Sequence, residues 1–271
     1  MPELPEVETV RAGLDALLRG RVIARVEVLR PMLRFRIAKE LPSVLEGARV
    51  VAVERRAKYL LVRTDKRTLL SHLGMTGTWQ HVTSDHVAQK HDHLRLDTDD
   101  GTTLVYNDPR KFGFVELLPA DSPAPRLAAL GPEPLDPSAF NADYLVRVFR
   151  KRKAPVKSLL MDQAIVVGVG NIYAAEALFR AGIHPKRAAT TVKRERLVRL
   201  VACVRDVLNE AIAAGGSTID DYRKTNGQSG YFQHTFAVYA REGEPCLGCG
   251  TTLKLARIGG RSSVYCGKCQ R

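Results

Sequence analysis

Cys246-Leu247-Gly248-Cys249 and Cys266-Gly267-Lys268-Cys269 lie in the last 26 residues of the chain, with sixteen residues between the two pairs. Cysteines two residues apart sit on one tight turn and can hold the same ion, and two such knuckles supply all four ligands of a tetrahedral structural zinc. Between them Gly259-Gly260 offers a hairpin turn, while Lys254, Arg257 and Arg261 make the loop basic. The segment therefore reads as a zinc-finger hairpin able to touch phosphate. Two disulfides in a secreted tail are the competing reading. That reading calls for an export signal, whereas the chain opens on acids and prolines instead of a basic stretch followed by an apolar one. The fifth cysteine, Cys203, stands alone in a helical stretch, and a reducing compartment fits all five.

Upstream of the finger the periodicity is helical. Ser138 is placed to cap a helix over 138–152, and further helical patterns cover 156–163, 171–181 and 193–214. Residues 119–137 hold six of the fourteen prolines without any periodic pattern, which reads as a linker. The N-terminal part differs again. Pro5 suits a first helical turn, Glu6 and Glu8 fall where the helix dipole favours acids, and Val7, Val10, Leu14 and Leu17 recur at helical spacing until Gly20. Strand patterns then occupy 22–29, 48–54, 59–64 and 68–72, and 93–97 with 103–107 forms a hairpin around Asp99-Asp100-Gly101. Short strands at this spacing suggest a sandwich or barrel. The expectation is an α+β multidomain chain: a β domain with a leading helix over 1–118, a linker over 119–137, a helical domain over 138–236 and the finger over 237–271.

Forty-two Lys and Arg against twenty-nine Asp and Glu leave a net charge of +13, which suits a polyanionic partner but does not name one. A ribosomal or peripheral membrane protein would show a similar excess. No run of about 18 apolar residues occurs, so no membrane-spanning helix is expected, and the chain reads as soluble and cytoplasmic. Arg147, Arg150, Lys151, Arg152, Lys153 and Lys157 place six cations in eleven residues without one acid. Such a run is either a solvated helix face or a backbone-binding surface. Val167-Gly168-Val169-Gly170-Asn171, just after it, is either a tight turn or a phosphate seat at a helix N-terminus.

Met1-Pro2-Glu3-Leu4-Pro5-Glu6 can also be read twice. It is a helix start, and, once Met1 is trimmed, it is a secondary amine at position 2. With an α-amino pKa near 8 against about 10.4 for lysine, roughly a third of such amines are unprotonated at pH 7.5, and on the order of a tenth of a per cent of lysines. An amine of that kind is a ready nucleophile.

Taken together these motifs resemble the formamidopyrimidine-DNA glycosylases, the oxidised-purine branch of a family that includes endonuclease VIII. The resemblance covers the whole length: Met1 to Thr9, Ala57-Lys58-Tyr59, His72-Leu73-Gly74-Met75-Thr76-Gly77, Lys90-His91-Asp92-His93, Asp108-Pro109-Arg110-Lys111-Phe112-Gly113, Gly168 to Ala174, Glu176-Ala177-Leu178-Phe179, Gly230-Tyr231-Phe232-Gln233 and the finger. It implies an N-terminal β-sandwich, a helix-two-turn-helix domain and a zinc finger with one zinc on Cys246, Cys249, Cys266 and Cys269. It also implies a monomer acting on double-stranded DNA with oxidised bases or abasic sites.

By the same resemblance Pro2 is the Schiff-base nucleophile, Glu3 the acid or base that opens the sugar, Glu6 a supporting carboxylate, and Lys58 the cation assisting β-elimination. Met75, Arg110 and Phe112 fill the space left by the extruded nucleotide. His91, Arg152, Lys157 and Asn171 contact phosphate, Arg261 clamps phosphate and serves δ-elimination, and 217–231 covers the flipped base. Leu4, where endonuclease VIII proteins carry Gly, and the Arg110-Lys111-Phe112 loop favour 8-oxoguanine and formamidopyrimidine lesions. Ala175, Ala240 and Ser263 depart from the usual acid, Gly and Thr, and Ala240 touches the path into the finger. Three competing readings remain: an endonuclease VIII-type enzyme for oxidised pyrimidines, a non-catalytic damage-binding protein, and an RNA-binding zinc-ribbon protein. Intact Pro2, Glu3 and Lys58 argue against the second.

Overall fold

Helix α1 (Leu4–Leu18) begins almost at the first residue because Glu3 and Glu6 form a capping box, Pro5 lies in the first turn and Glu6 faces the positive helix end. Its stripe of Val7, Val10, Leu14 and Leu18 is buried, with Leu17 at the margin. Then come β1 (Ile23–Val28), α2 (Leu41–Leu45), β2 (Val50–Arg56), β3 (Tyr59–Thr64), β4 (Thr68–His72), β5 (Thr78–Val82), β6 (Asp92–Thr98), β7 (Thr103–Asn107) and β8 (Phe114–Leu117). Helix α2 and strands β5 and β8 go beyond the expectation. Each is only five, five and four residues long, too short to establish a period.

In this computed structural model residues 1–118, 125–217, 225 and 230–271 are described. They divide into two units, Met1–Ala128 with Ala214–Tyr231, and Ala129–Ala213 with Phe232–Arg271.

The first unit holds two four-stranded antiparallel sheets, ordered β1-β6-β7-β5 and β2-β3-β4-β8. Ile23, Val26, Leu94, Leu96, Leu104 and Tyr106 from one sheet meet Val53, Leu60, Val62, Leu69 and Val115 from the other, and α1 adds its stripe to the same core. A β-sandwich results. Strand β3 is apolar on both faces, since Leu61 points away from that core into a second cluster with Leu70, Phe114 and Leu118. Leu127 of a short helix α3 (Pro125–Ala128) covers this outer face, and Arg126 stacks on Phe35 and Phe114. Part of the proline-rich stretch is thus packed against the sheet; residues 119–124 lie outside the described residues.

The second unit is helical: α4 (Ala142–Phe149), α5 (Val156–Leu160), α6 (Asn171–Arg180) and α7 (Arg194–Ala213). The cap of α4 is Asn141, whose Oδ1 accepts from the Tyr144 amide at 2.9 Å, and not Ser138 as expected. Ser138 instead donates its amide and hydroxyl to Asp136 in a preceding turn. Helix α5 stops at Leu160, short of 163, and the Gln163 side chain beyond it accepts the Gly168 amide and donates to the Val169 carbonyl. Buried Leu197, Leu200, Val201, Val204 and Leu208 line α7, which packs on α4 and α6.

The finger hairpin, β9 (Lys254–Ile258) and β10 (Arg261–Tyr265), turns at Gly259 and Gly260, both in the left-handed region. It sits on α6 through Ala175, Phe179, Val238, Leu253 and Val264. Alanine at 175 therefore belongs to an apolar contact in which an acid would be buried. No helix among the described residues is long and apolar enough to cross a membrane.

Candidate active site and nucleic-acid interface

Pro2 and Glu3 are buried at the start of α1, and the carboxylate of buried Glu6 holds them. Its Oε2 accepts from the Glu3 amide at 2.8 Å, and its Oε1 accepts from the Ser217 amide at 2.8 Å. One side chain thus ties the helix start to the segment after Gly216. Of the stretch expected to cover a flipped base, 218–224 and 226–229 lie outside the described residues; at its other end the Tyr231 amide donates to the Ala214 carbonyl.

Lys58 is buried in the turn from β2 to β3, directly after Ala57 at φ +56°. Arg55 locks that turn onto α1 by donating to Glu8 Oε2 at 2.8 Å and to the Ala57 carbonyl at 2.9 Å. Nothing in the local sequence singled Arg55 out from its charged neighbours. His72 lies between the rings of Tyr59 and Phe114 and accepts the Gly74 amide on Nδ1. Burial first, and then the positive charges of Lys58 and Arg34, push its pKa down to about 4, so the imidazole is neutral at physiological pH.

Met75, Arg110 and Phe112 stand exposed on two adjoining loops of the same unit, and the Arg110 guanidinium lies 4.9 Å from the centre of the Phe112 ring. His91 is half-buried at the end of a turn ordered by buried Asp92, which accepts from Asn107, the Gln89 amide and His86.

In the second unit Arg152 is exposed beyond α4, Asn171 opens α6 after Gly170, and Arg261 is exposed at the fingertip. Lys157, expected as a phosphate contact, is buried within this unit. It is 0% exposed, and its Nζ donates to Asn171 Oδ1 at 2.7 Å, Ser263 Oγ at 2.6 Å and the Ser262 carbonyl at 3.4 Å. Its ammonium braces the start of α6 against β10 from inside, and the Ser263 hydroxyl takes part in that brace. Helix α5 presents Lys157 inward, where Asn171 Oδ1 and Ser263 Oγ accept from its ammonium.

The four Sγ atoms of Cys246, Cys249, Cys266 and Cys269 lie within 4.8 Å of one another, with 3.9 Å from Cys246 to Cys269 and 3.5 Å from Cys249 to Cys266. A zinc bound at 2.3 Å by four thiolates needs edges of about 3.8 Å, so the donor set fits one structural zinc. Two supports escaped the sequence reading. Glu176, buried on α6, accepts the amides of Ala237, Val238 and Tyr239 at 2.9, 3.0 and 2.8 Å. Gln270 bridges the Cys266 amide to the Ile183 carbonyl.

The chain matches three family models: the formamidopyrimidine-DNA glycosylase N-terminal domain over residues 1–115, the formamidopyrimidine-DNA glycosylase H2TH domain over 130–223, and the zinc finger found in FPG and IleRS over 243–271. Formamidopyrimidine-DNA glycosylases of Ruegeria sp. and Stenotrophomonas maltophilia are 50% and 49% identical to it, with both chains covered completely. Among solved structures, a Lactococcus lactis FPG mutant in complex with a Fapy-dG-containing DNA superposes with a TM-score of 0.92 at 34% identity over all of both chains. The Lactococcus lactis Fpg with an abasic-site-containing DNA gives 0.90 at 34% identity over 99% of each. With sandwich, helical unit and four-cysteine finger in the same order as these relatives over their full length, the chain belongs to the formamidopyrimidine-DNA glycosylase family.

Proposed function

We propose that the chain removes oxidised purines, 8-oxoguanine and formamidopyrimidines, from duplex DNA and then cleaves the abasic site, with Pro2 as the nucleophile. The observation that carries the residue assignment is the clamped helix start: Pro2 and Glu3 are buried and held through Glu6, so the position-2 nitrogen is preorganised rather than frayed. Once Met1 is removed, the Pro2 nitrogen lone pair attacks C1′ and the glycosidic bond breaks, the base leaving with its electron pair. Glu3 delivers a proton as the deoxyribose ring opens. The resulting iminium withdraws electrons, so loss of a C2′ proton expels the 3′ phosphate, and a second elimination expels the 5′ phosphate. Lys58, buried in the turn that Arg55 ties to α1, assists the first elimination; Arg261 serves the second. Met75, Arg110 and Phe112 occupy the vacated stack, while His91, Arg152, Asn171 and Arg261 take phosphates. The protein works as a monomer in the cytoplasm, on the nucleoid.

Borohydride added during turnover tests the nucleophile. The protein is expected to become covalently joined to DNA, with the adduct mapping to residue 2; a map to Lys58, or normal activity in protein retaining Met1, overturns the assignment. An oxidised-pyrimidine substrate belongs in the same assay, because one solved relative, the wild-type Lactococcus lactis Fpg, is in complex with an oxidized pyrimidine-containing DNA. Faster excision of thymine glycol than of 8-oxoguanine opposite cytosine would favour the endonuclease VIII-type reading.

A further inference from the structure

Met75 is 37% exposed and Phe112 46%, so packing alone does not fix either side chain. The loops that carry them are fastened from beneath. Thr76, next to Met75 and almost fully buried, donates its hydroxyl to Asp108 Oδ1 at 2.6 Å and accepts the Arg110 amide on the same oxygen at 3.2 Å. Asp108, 0% exposed, accepts the Gly113 amide on its other carboxylate oxygen at 2.8 Å. Both ends of the segment bearing Arg110 and Phe112 therefore hang on one buried carboxylate, and the Thr76 hydroxyl passes that anchor to Arg110.

The backbones also touch. Gly74 sits at φ +60°, and a Cβ there would come within 2.3 Å of the Gly113 nitrogen and 2.4 Å of the Phe112 carbonyl carbon. This approach fixes how close the loops lie, but a backbone contact can slide. The Thr76–Asp108 bond, short and buried, sets the register along that contact. Arg110 follows, and Phe112 follows Arg110 through the stacking of guanidinium on ring.

We infer that Thr76 and Asp108 are positioning residues that set Arg110 and Phe112 in register with Met75, and that through Arg110 they govern discrimination among the bases opposite a lesion. The inference rests on the proposed role of Met75, Arg110 and Phe112 in filling the space of the extruded nucleotide. A group displaced by an ångström reads an opposing base poorly even when the loop stays folded.

The test uses the full-length, zinc-loaded protein with Thr76→Val, Thr76→Ser, Asp108→Asn and Arg110→Ala. Single-turnover excision of 8-oxoguanine opposite cytosine and opposite adenine is compared with cleavage of a ready-made abasic site. Thr76→Val keeps the shape but removes the hydroxyl. It is expected to slow excision opposite cytosine and narrow the cytosine-to-adenine ratio by about tenfold each, with abasic-site cleavage within about twofold. Thr76→Ser should restore both quantities, and Asp108→Asn should move the ratio in the direction of Thr76→Val if that variant folds poorly. Equal losses on lesion and abasic site, or a serine variant as impaired as valine, overturn the inference. Arg110→Ala separates the two levels: an unchanged ratio there removes the space-filling assignment itself, whereas a changed ratio there with an unchanged one in Thr76→Val removes only the positioning role.

Discussion

Replacing Lys157 by Met distinguishes a buried brace from a phosphate contact. Met fills a similar channel but leaves Asn171 Oδ1 and the Ser262 carbonyl without the ammonium donor, and it removes the 2.6 Å bond to Ser263 Oγ. Only the Ser263 acceptor is fully buried, and an unmet buried acceptor costs about 1–3 kcal/mol, part of it offset because no ammonium has to be desolvated, so a net loss of up to about 2 kcal/mol follows for the second unit. If Asn171 and the fingertip must be reordered on binding, that loss reaches the affinity as a weakening of up to about thirtyfold at fixed salt. The slope of log affinity against log salt is the deciding quantity. A lysine that neutralises a phosphate contributes about 0.9 to it, so Arg261→Ala should flatten the slope by about that amount while Lys157→Met leaves it unchanged. Fluorescence anisotropy with an undamaged duplex between about 50 and 200 mM KCl measures both. A Lys157→Met slope flattened as much as that of Arg261→Ala would place the ammonium on phosphate and refute the brace.

Ala240 adopts φ +60°, which costs a non-glycine residue about 1–2 kcal/mol, so Ala240→Gly should stabilise the protein by about 1 kcal/mol and raise Tm by about 2–4 °C. An unchanged or lower Tm in calorimetry would contradict the strain. His72 carries a pH dependence, because its folded value near 4 lies below the ordinary 6.5. A base with a depressed folded pKa stabilises the fold fully above about 6.5 and loses that contribution as pH falls to about 4, on the order of 3 kcal/mol in all. His72→Asn keeps an acceptor for the Gly74 amide and should remove that part of the decline, measured as urea stability at pH 7 and pH 4.5; the same decline in the variant would refute the assignment.

Local pattern carried much of this protein. The paired knuckles at Cys246 and Cys266 specify the finger because the gap within each is short enough for a single turn to set the geometry. The stripe of α1 and the bounds of β3 and β4 were legible because period and turn residues act over a few positions. The same logic failed where choice lay between neighbours, as with Ser138 and Asn141, both capable caps. There the competing turn at Asp136 decided.

What the chain alone determined, then, is the longer helices and most of the strands, though not α2, β5 or β8, that the finger takes a zinc, and, through its motifs, which family it belongs to. Tertiary structure decided what individual polar residues do. Lys157 sits in a run of cations that reads as a solvated or phosphate-binding face, yet its hydroxyl partner is 106 residues away, and only folding brings that acceptor to it. Glu176 meets amides 61 to 63 residues on, Arg55 meets Glu8 47 residues back, and Thr76 meets Asp108 across 32. Composition and periodicity report the preferences of a residue's own backbone and near neighbours, whereas the burial of a charge depends on which distant donors and acceptors the packed core delivers to it.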